Sequence, residues 1–358
     1  AIRLDLRGRA SAVGIAKLGE HPFAQSLSGA TDWRGLITVR KKKADFSVDS
    51  SLVGLASGLP EPFGKKAAEQ VAFRLENKTT APNRDTWLID YGRVLSARIE
   101  RRLDNGKALV ERGVINLGGA ATSLSASPSP PTQNGVWVNG ELPVLDIDVW
   151  RTLLGQQPSG APVFAVAGLN FKCEQLDVYG RRFNEVKIAA TAQGENWKAA
   201  LQSREMSGEI GWRPAGRGRI EARLKTLNMP EATPAASAMP SPAQEARDLP
   251  ALDVVVENFQ AKRKSLGRLE LKASNEGDDW RIEQLKLSNP DATLSMDGVW
   301  QAWRRKPITR ANVHLEVQDV GKLLVRLGFP DAVRRGAATL EGRLSWLGSP
   351  QDLDYASL

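Results

Sequence analysis

Period-two alternation of apolar and charged residues constrains this chain most tightly, and it is clearest between Gly267 and Val317. In 267–274 (GRLELKAS), Leu269, Leu271 and Ala273 alternate with Arg268, Glu270 and Lys272, which gives a strand one apolar and one charged face. Asn275-Glu276-Gly277-Asp278 supplies a turn, and 279–288 continues with Trp280, Ile282, Leu285 and Leu287. Asn289-Pro290-Asp291 turns the chain again, because Pro fixes φ and Asn and Asp tolerate turn geometry. Leu294, Met296, Gly298 and Trp300 then share a face, as do Val313, Leu315 and Val317 beyond a basic loop. The pattern predicts an antiparallel meander, apolar on one side and wet on the other.

Parts of this pattern recur. An apolar residue followed six positions later by Trp occurs in LSGATDW (27–33), MSGEIGW (206–212), LSMDGVW (294–300) and LEGRLSW (340–346). Residues 180–201 resemble 266–285, each reading as strand, Gly-containing acidic turn, Trp and strand. Residues 144–155 resemble 317–328. The spacings are uneven, so this is a divergent internal duplication and not a strict solenoid.

Strands are also expected in 1–50, 71–77, 85–92, 94–103 and 108–118, and a short helical turn near 51–70 from Leu52, Leu55 and Leu59, stopped by Gly58 and Pro60. Residues 126–135 and 229–249, rich in Pro, Ala and Ser, read as exposed loops. They divide the chain into β segments 1–125, 136–228 and 250–358. Amphipathic helices are expected at 144–154, capped by Asp146 or Asp148, and at 318–328, ended by Gly328.

Little in the chain points to catalysis. His21 and His314 stand alone, without metal ligands at useful spacing, and no G-x-S-x-G elbow exists. Cys173 is the single cysteine, which removes a disulfide framework and CxxC chemistry. Residues 216–222 mimic a dinucleotide fingerprint, but Ile220, Ala222 and Leu224 continue as a strand where that motif must open a helix. Glu276, Asp278 and Asp279 sit in a turn. The chain therefore reads as no enzyme, with no cofactor and no metal. The net charge of +8 is spread over wet strand faces, with its densest run at Arg40–Lys43, which suits a solvated edge guarded by Lys. The strand Trp residues share faces with Leu and Met, so no nucleic-acid stacking platform is expected. The longest apolar run, 163–171, is too short to cross a bilayer, and no signal peptide is visible. The chain opens on Ala1, and 354–358 reads like an unfinished strand, so a piece of a longer protein is expected.

LPALDVVVENFQ (249–260), LGRLELKAS (266–274), WRIEQLKLSNPDATLSMDGVW (280–300), VQDVGKLLVRLGFPDAVRRG (317–336) and LEGRLSWLGSPQDLDYASL (340–358) closely resemble the AsmA-like envelope proteins, in their YhdP branch. SSLVGLASGLPEPFGKKA (50–67) resembles the same branch upstream. The resemblance implies a mainly β fold: an elongated, curved antiparallel sheet, the taco-like repeating β-groove, with a few short helices. It further implies a periplasmic segment of an inner-membrane-anchored bridge that moves phospholipids towards the outer membrane of a Gram-negative bacterium, with further envelope proteins as partners.

A sheet with one apolar face must cover it, and few helices are available here. Acyl chains would suit, at about 0.8 kcal/mol per buried methylene and without directional chemistry. The expected lining is Val186, Ile188, Ala190, Ile220, Ala222, Leu224, Leu269, Leu271, Ala273, Leu294, Met296, Val313 and Leu315. Two rival readings remain at this level. One is an envelope scaffold whose apolar faces close on each other and whose strand edges bind proteins. The other is a peripheral binder of anionic membranes or other polyanions through the basic faces, with a steep salt dependence.

Overall fold

The computed structural model describes residues 2–17, 23–40, 43–104, 107–119, 134–155, 165–231, 249–304 and 306–350. The chain forms two compact units, Ala1–Tyr179 with Val186–Thr191, and Gly180–Glu185 with Ala192–Leu358.

The first unit contains β1 (Ile2–Ser11), β2 (Leu27–Arg40), β3 (Lys43–Ser50), β4 (Leu55–Ser57), β5 (Phe73–Ala81), β6 (Arg84–Tyr91), β7 (Leu95–Asp104), β8 (Lys107–Gly118), β9 (Gly135–Asp146) and β10 (Val166–Val178), with the middle of β11 (Arg181–Gln193). Its ladder runs β1-β2-β3-β5-β6-β7-β8-β9-β10, while β4 pairs with the first residues of β2. Two short helices interrupt it. α1 (Ala12–Ala16) follows β1, and the Ser11 side chain caps it by accepting from the Gly14 amide. α2 (Ile147–Gly155) follows β9.

The second unit is β12 (Asn196–Gln202), β13 (Met206–Arg213), β14 (Arg219–Met229), β15 (Ala251–Ala261), β16 (Lys264–Glu276), β17 (Asp279–Ser288), β18 (Ala292–Gln301), β19 (Ile308–Val317) and β20 (Ala338–Leu347), paired in chain order. α3 (Val320–Leu327) lies between β19 and β20, capped by Asp319 and ended by Gly328 in the left-handed region at φ 91°.

The mainly β class with few short helices is as the alternation predicts. The ladders, however, are mixed: β8–β9, β9–β10 and β14–β15 pair in parallel. Alternation specifies which face a residue takes but not the direction of its strand, so these joins leave no periodic signal. Residues 120–133 and 232–248, which hold most of the two expected loops, lie outside the described residues, as does His21.

Two local expectations need correction. Residues 51–70 form no helix: Leu55–Ser57 is a strand, and Lys65 pairs with Ser57 in an isolated bridge. The leucine spacing is overridden by close backbone contact, since Gly29 and Gly54 both take positive φ and bring β2 against the Gly54 carbonyl. Residues 144–146, expected as the start of a helix, instead complete β9. Asp146 is the cap, accepting from the Val149 amide at 3.0 Å, while Asp148 accepts from the Tyr179 amide at 2.8 Å. Asp319 accepts from the Lys322 amide at 3.0 Å, so the two helices of the duplicated 144–155 and 317–328 segments share the same cap position.

Candidate functional site

Directly paired residues on neighbouring strands present their side chains on the same face, so the registers of the second unit can be followed across it. Leu224 on β14 pairs with Val256, Val256 with Leu269, Leu269 with Leu287, Leu287 with Leu294, and Leu294 with Leu315. A second row links Ala222, Val254, Leu271, Leu285, Met296 and Val313. A third links Ile220, Leu252, Ala273, Ile282, Gly298 and Ala311. Three apolar rows therefore run side by side over six strands. They continue onto β20 as Leu340, Gly342 and Leu344.

The ten expected lining residues from Ile220 to Leu315 all fall within these rows. Val186, Ile188 and Ala190 do not: they lie in the part of β11 that belongs to the first unit, where Val186 and Ala190 are buried. Sequence alternation had placed the three on one face, and it carries no information about which ladder a strand joins.

Burial grades along the face. Val256 is fully buried, Leu224 and Leu269 nearly so, and Leu271, Leu294, Met296, Val313 and Leu315 are half-buried. Leu340 and Leu344 on β20 are exposed. One core cluster joins Ala222, Leu224, Leu227, Val256 and Leu269, and a second joins Ala273, Trp280, Ile282, Trp300 and Ala302. Every member and every partly buried side chain against them comes from the strands β13–β18 or their flanks, lateral neighbours in one ladder. Among the described residues of this unit, the contacts of both clusters are side by side within a single layer.

The other face is charged and paired. Arg223 meets Asp253 at 2.9 Å, Arg213 meets Glu221 at 2.8 Å, and Arg268 meets Glu270 at 2.8 Å. His314 lies between Glu316 at 3.0 Å and Glu341 at 2.9 Å, and the hydrogen bond to Glu316 raises its pKa above the ordinary histidine value. Its ring is solvent-facing, with a carboxylate beside each nitrogen. Among the described residues, no group of three or more His, Cys, Asp or Glu is placed to hold a metal ion, and no helix is long and apolar enough to cross a membrane.

The first unit carries an apolar face of the same kind. One row joins Leu6, Gly35, Val48, Leu75, Ile89 and Ala97, then Ile115, Val138 and Leu169. The parallel joins keep this register intact. Glycines make room for large rings on both faces: a Cβ at Gly140, on the apolar face, would stand 2.0 Å from the Phe171 ring, and one at Gly168, on the opposite face, would stand 2.2 Å from Trp137.

Two features of this unit were not foreseen. Asp85, on the apolar face, accepts from Arg101 at 2.9 and 2.6 Å and from Asn77 at 3.1 Å, and the Arg101 guanidinium lies 4.8 Å from the centre of the Trp87 ring. Burial pushes the Asp85 carboxyl up, yet the bonds from Arg101 and Asn77 outweigh it and hold the pKa below the usual value. At the opposite strand ends, Phe63 stacks on Tyr91 at 6.5 Å and meets Trp150 of α2 edge-on at 5.9 Å, and Trp150 meets Phe23 at 6.2 Å. Lys65 fastens the 51–71 segment beneath this cluster by donating to the Leu55 and Lys66 carbonyls. No periodic signal marks either arrangement, because both join residues distant in sequence.

The family described as YhdP protein matches the chain over residues 1–358. No curated protein and no solved structure matches it significantly.

Proposed function

The chain belongs to the YhdP family, and from that premise we propose that its apolar rows shield phospholipid acyl chains as they pass between the inner and outer membranes. The observation that carries this reading is the continuity of the rows: hydrocarbon side chains follow one another from strand to strand, without a charge between Leu224 and Leu315. A path of this kind suits a ligand that slides, since each acyl methylene leaves water with about 0.8 kcal/mol of benefit wherever along the row it sits. Half-buried residues such as Leu271, Met296, Val313 and Leu315 form the contact surface, and fully buried ones such as Val256 hold the strands together. In the first unit, half-buried Ile188 of β11 belongs with the contact residues, and buried Val186 and Ala190 with those that hold the strands.

On this reading the protein acts by passive sequestration in the periplasm, as part of an inner-membrane-anchored chain, and it makes or breaks no covalent bond. The test is native mass spectrometry with lipid extraction, on protein made in a Gram-negative host and washed free of detergent. Phospholipid bound in defined stoichiometry is the expected result. A compact, lipid-free protein would overturn the proposal in favour of an envelope scaffold.

A further inference from the structure

Outside its rows the second unit exposes apolar side chains on α3 and the segment that returns behind it. Val325 in the last turn of α3 and Phe329 just past the left-handed Gly328 are 58% and 62% exposed, and Val333 is 48% exposed. Isolated exposed apolar residues are ordinary, but three within nine residues of one tightly bonded helix and its return segment are not. This knuckle is fixed by its backbone. The Phe329 amide donates to the Leu324 carbonyl at 2.8 Å, and the Val320 amide donates to the Gly336 carbonyl at 2.8 Å. A Cβ at Gly321 would stand 2.7 Å from the Val333 carbonyl oxygen, so the return segment lies tight against the helix. Arg326 is drawn inward to Asp291 at 2.6 Å, leaving the outer side apolar.

Cations surround this surface. Arg334 and Arg335 are exposed beside Val333, and Lys322 is exposed one turn before Val325. The β15–β16 hairpin adds exposed Lys262 and Arg263 at its tip, and Lys264 reaches Gly328 at the helix C-terminus. The nearby carboxylates are Asp319, which caps α3 and lies 3.6 Å from Lys322, Asp291, taken by Arg326, and Asp331.

We propose that this knuckle docks on an anionic lipid bilayer, with Val325, Phe329 and Val333 entering the headgroup boundary and the cations meeting lipid phosphates. An apolar wedge framed by Lys and Arg is the chemistry that holds a protein at such an interface. This goes beyond carriage of lipid along the rows, since the surface lies on α3 and its return segment, outside them, and it would bind whether or not the rows are loaded.

The test is flotation of the whole chain with vesicles of phosphatidylcholine alone and with about one third phosphatidylglycerol. Binding is expected only to the anionic vesicles. Phe329→Ser with Val325→Ser, and separately Arg334→Glu with Arg335→Glu, should each lower it by about tenfold or more. Reversing Arg3 and Arg7 on β1 changes the net charge equally and should have little effect. All six positions are exposed, so folding is not at stake. Equal loss in the Arg3/Arg7 control would reduce the effect to overall charge and overturn the proposal. So would binding unchanged in both knuckle variants, or no binding to anionic vesicles.

Discussion

Leu271→Asp separates contact with lipid from support of the fold. Leu271 is half-buried in the middle row, flanked by Val254 and Leu285, and it packs on the cluster around Ile282 and Trp300. Full burial of a leucine is worth about 1.5–3 kcal/mol, so partial burial here puts the lost burial near 1–2 kcal/mol. Asp is also a poor strand residue, which brings the total to about 2–3 kcal/mol; its carboxylate reaches water, and a domain with 5–15 kcal/mol survives this. The ligand loses more. An ionised group that displaces three or four methylenes forfeits about 3 kcal/mol, a factor of roughly 100 in affinity. The companion variant is Lys272→Asp, one residue along and on the charged face. Urea unfolding reports the fold and native mass spectrometry reports the lipid. Leu271→Asp should unfold at a modestly lower urea concentration and carry no lipid, while Lys272→Asp should carry the normal complement. Retention of lipid by Leu271→Asp, or equal loss in both, would refute the assignment of faces.

Gly140→Val should destabilise by about 1–3 kcal/mol through collision with the Phe171 ring, and adding Phe171→Ala should cost less than the sum of the two changes in urea melts. Asp146→Ala and Asp319→Ala should each cost about 1 kcal/mol in the same assay by uncapping α2 and α3. Cys173 is buried, and desolvation pushes its pKa up to about 11, so its thiolate is scarce at pH 8; a disulfide reagent should react slowly with the native protein and at once in urea. Asp85 has a depressed folded pKa, so its stabilising contribution is complete above the unfolded value near 3.8 and disappears as pH falls through the lower folded value. The stability gap between the wild type and Asp85→Asn should therefore be constant from pH 7 to about 5 and close on acidification below pH 4; a gap that widens there would contradict it.

Alternation revealed what depends on faces and missed what depends on partners. Leu269, Leu271 and Ala273 could be assigned to one side of β16 from their spacing alone, and the registers then place them in line with Leu287, Leu285 and Ile282. The amphipathic run ended by Gly328 predicts α3, while its cap, Asp319, is added by the structure. The parallel neighbours of β9 and β15 were invisible, as were the cross-strand partners of Asp85 and the bridge of Lys65 to Ser57. Leu52, Leu55 and Leu59 misled because helical spacing over one turn is weak evidence against two close glycine contacts.

The parallel joins also explain why the duplicated segments keep their apolar and aromatic positions aligned. β12, β13 and β14 run antiparallel, an odd number of strands, so the chain leaves β14 at the end opposite to the one where β12 began. Copies linked by hairpins alone would alternate in orientation, and their Trp-bearing ends would fall on opposite sides. A crossover restores the orientation. β14, with 11 residues at about 3.3 Å each, spans about 36 Å, and β15 begins again alongside its first residues, Ala251 beside Arg219. Ile220 then faces Leu252, Ala222 faces Val254 and Leu224 faces Val256, with no change of face at the join. The cross-strand pairs Trp197–Trp212 and Trp280–Trp300, which lie in different copies, consequently come out at the same end of the ladder. The parallel join of β14 to β15 thus keeps the Trp-bearing ends together while the apolar surface continues from one copy to the next.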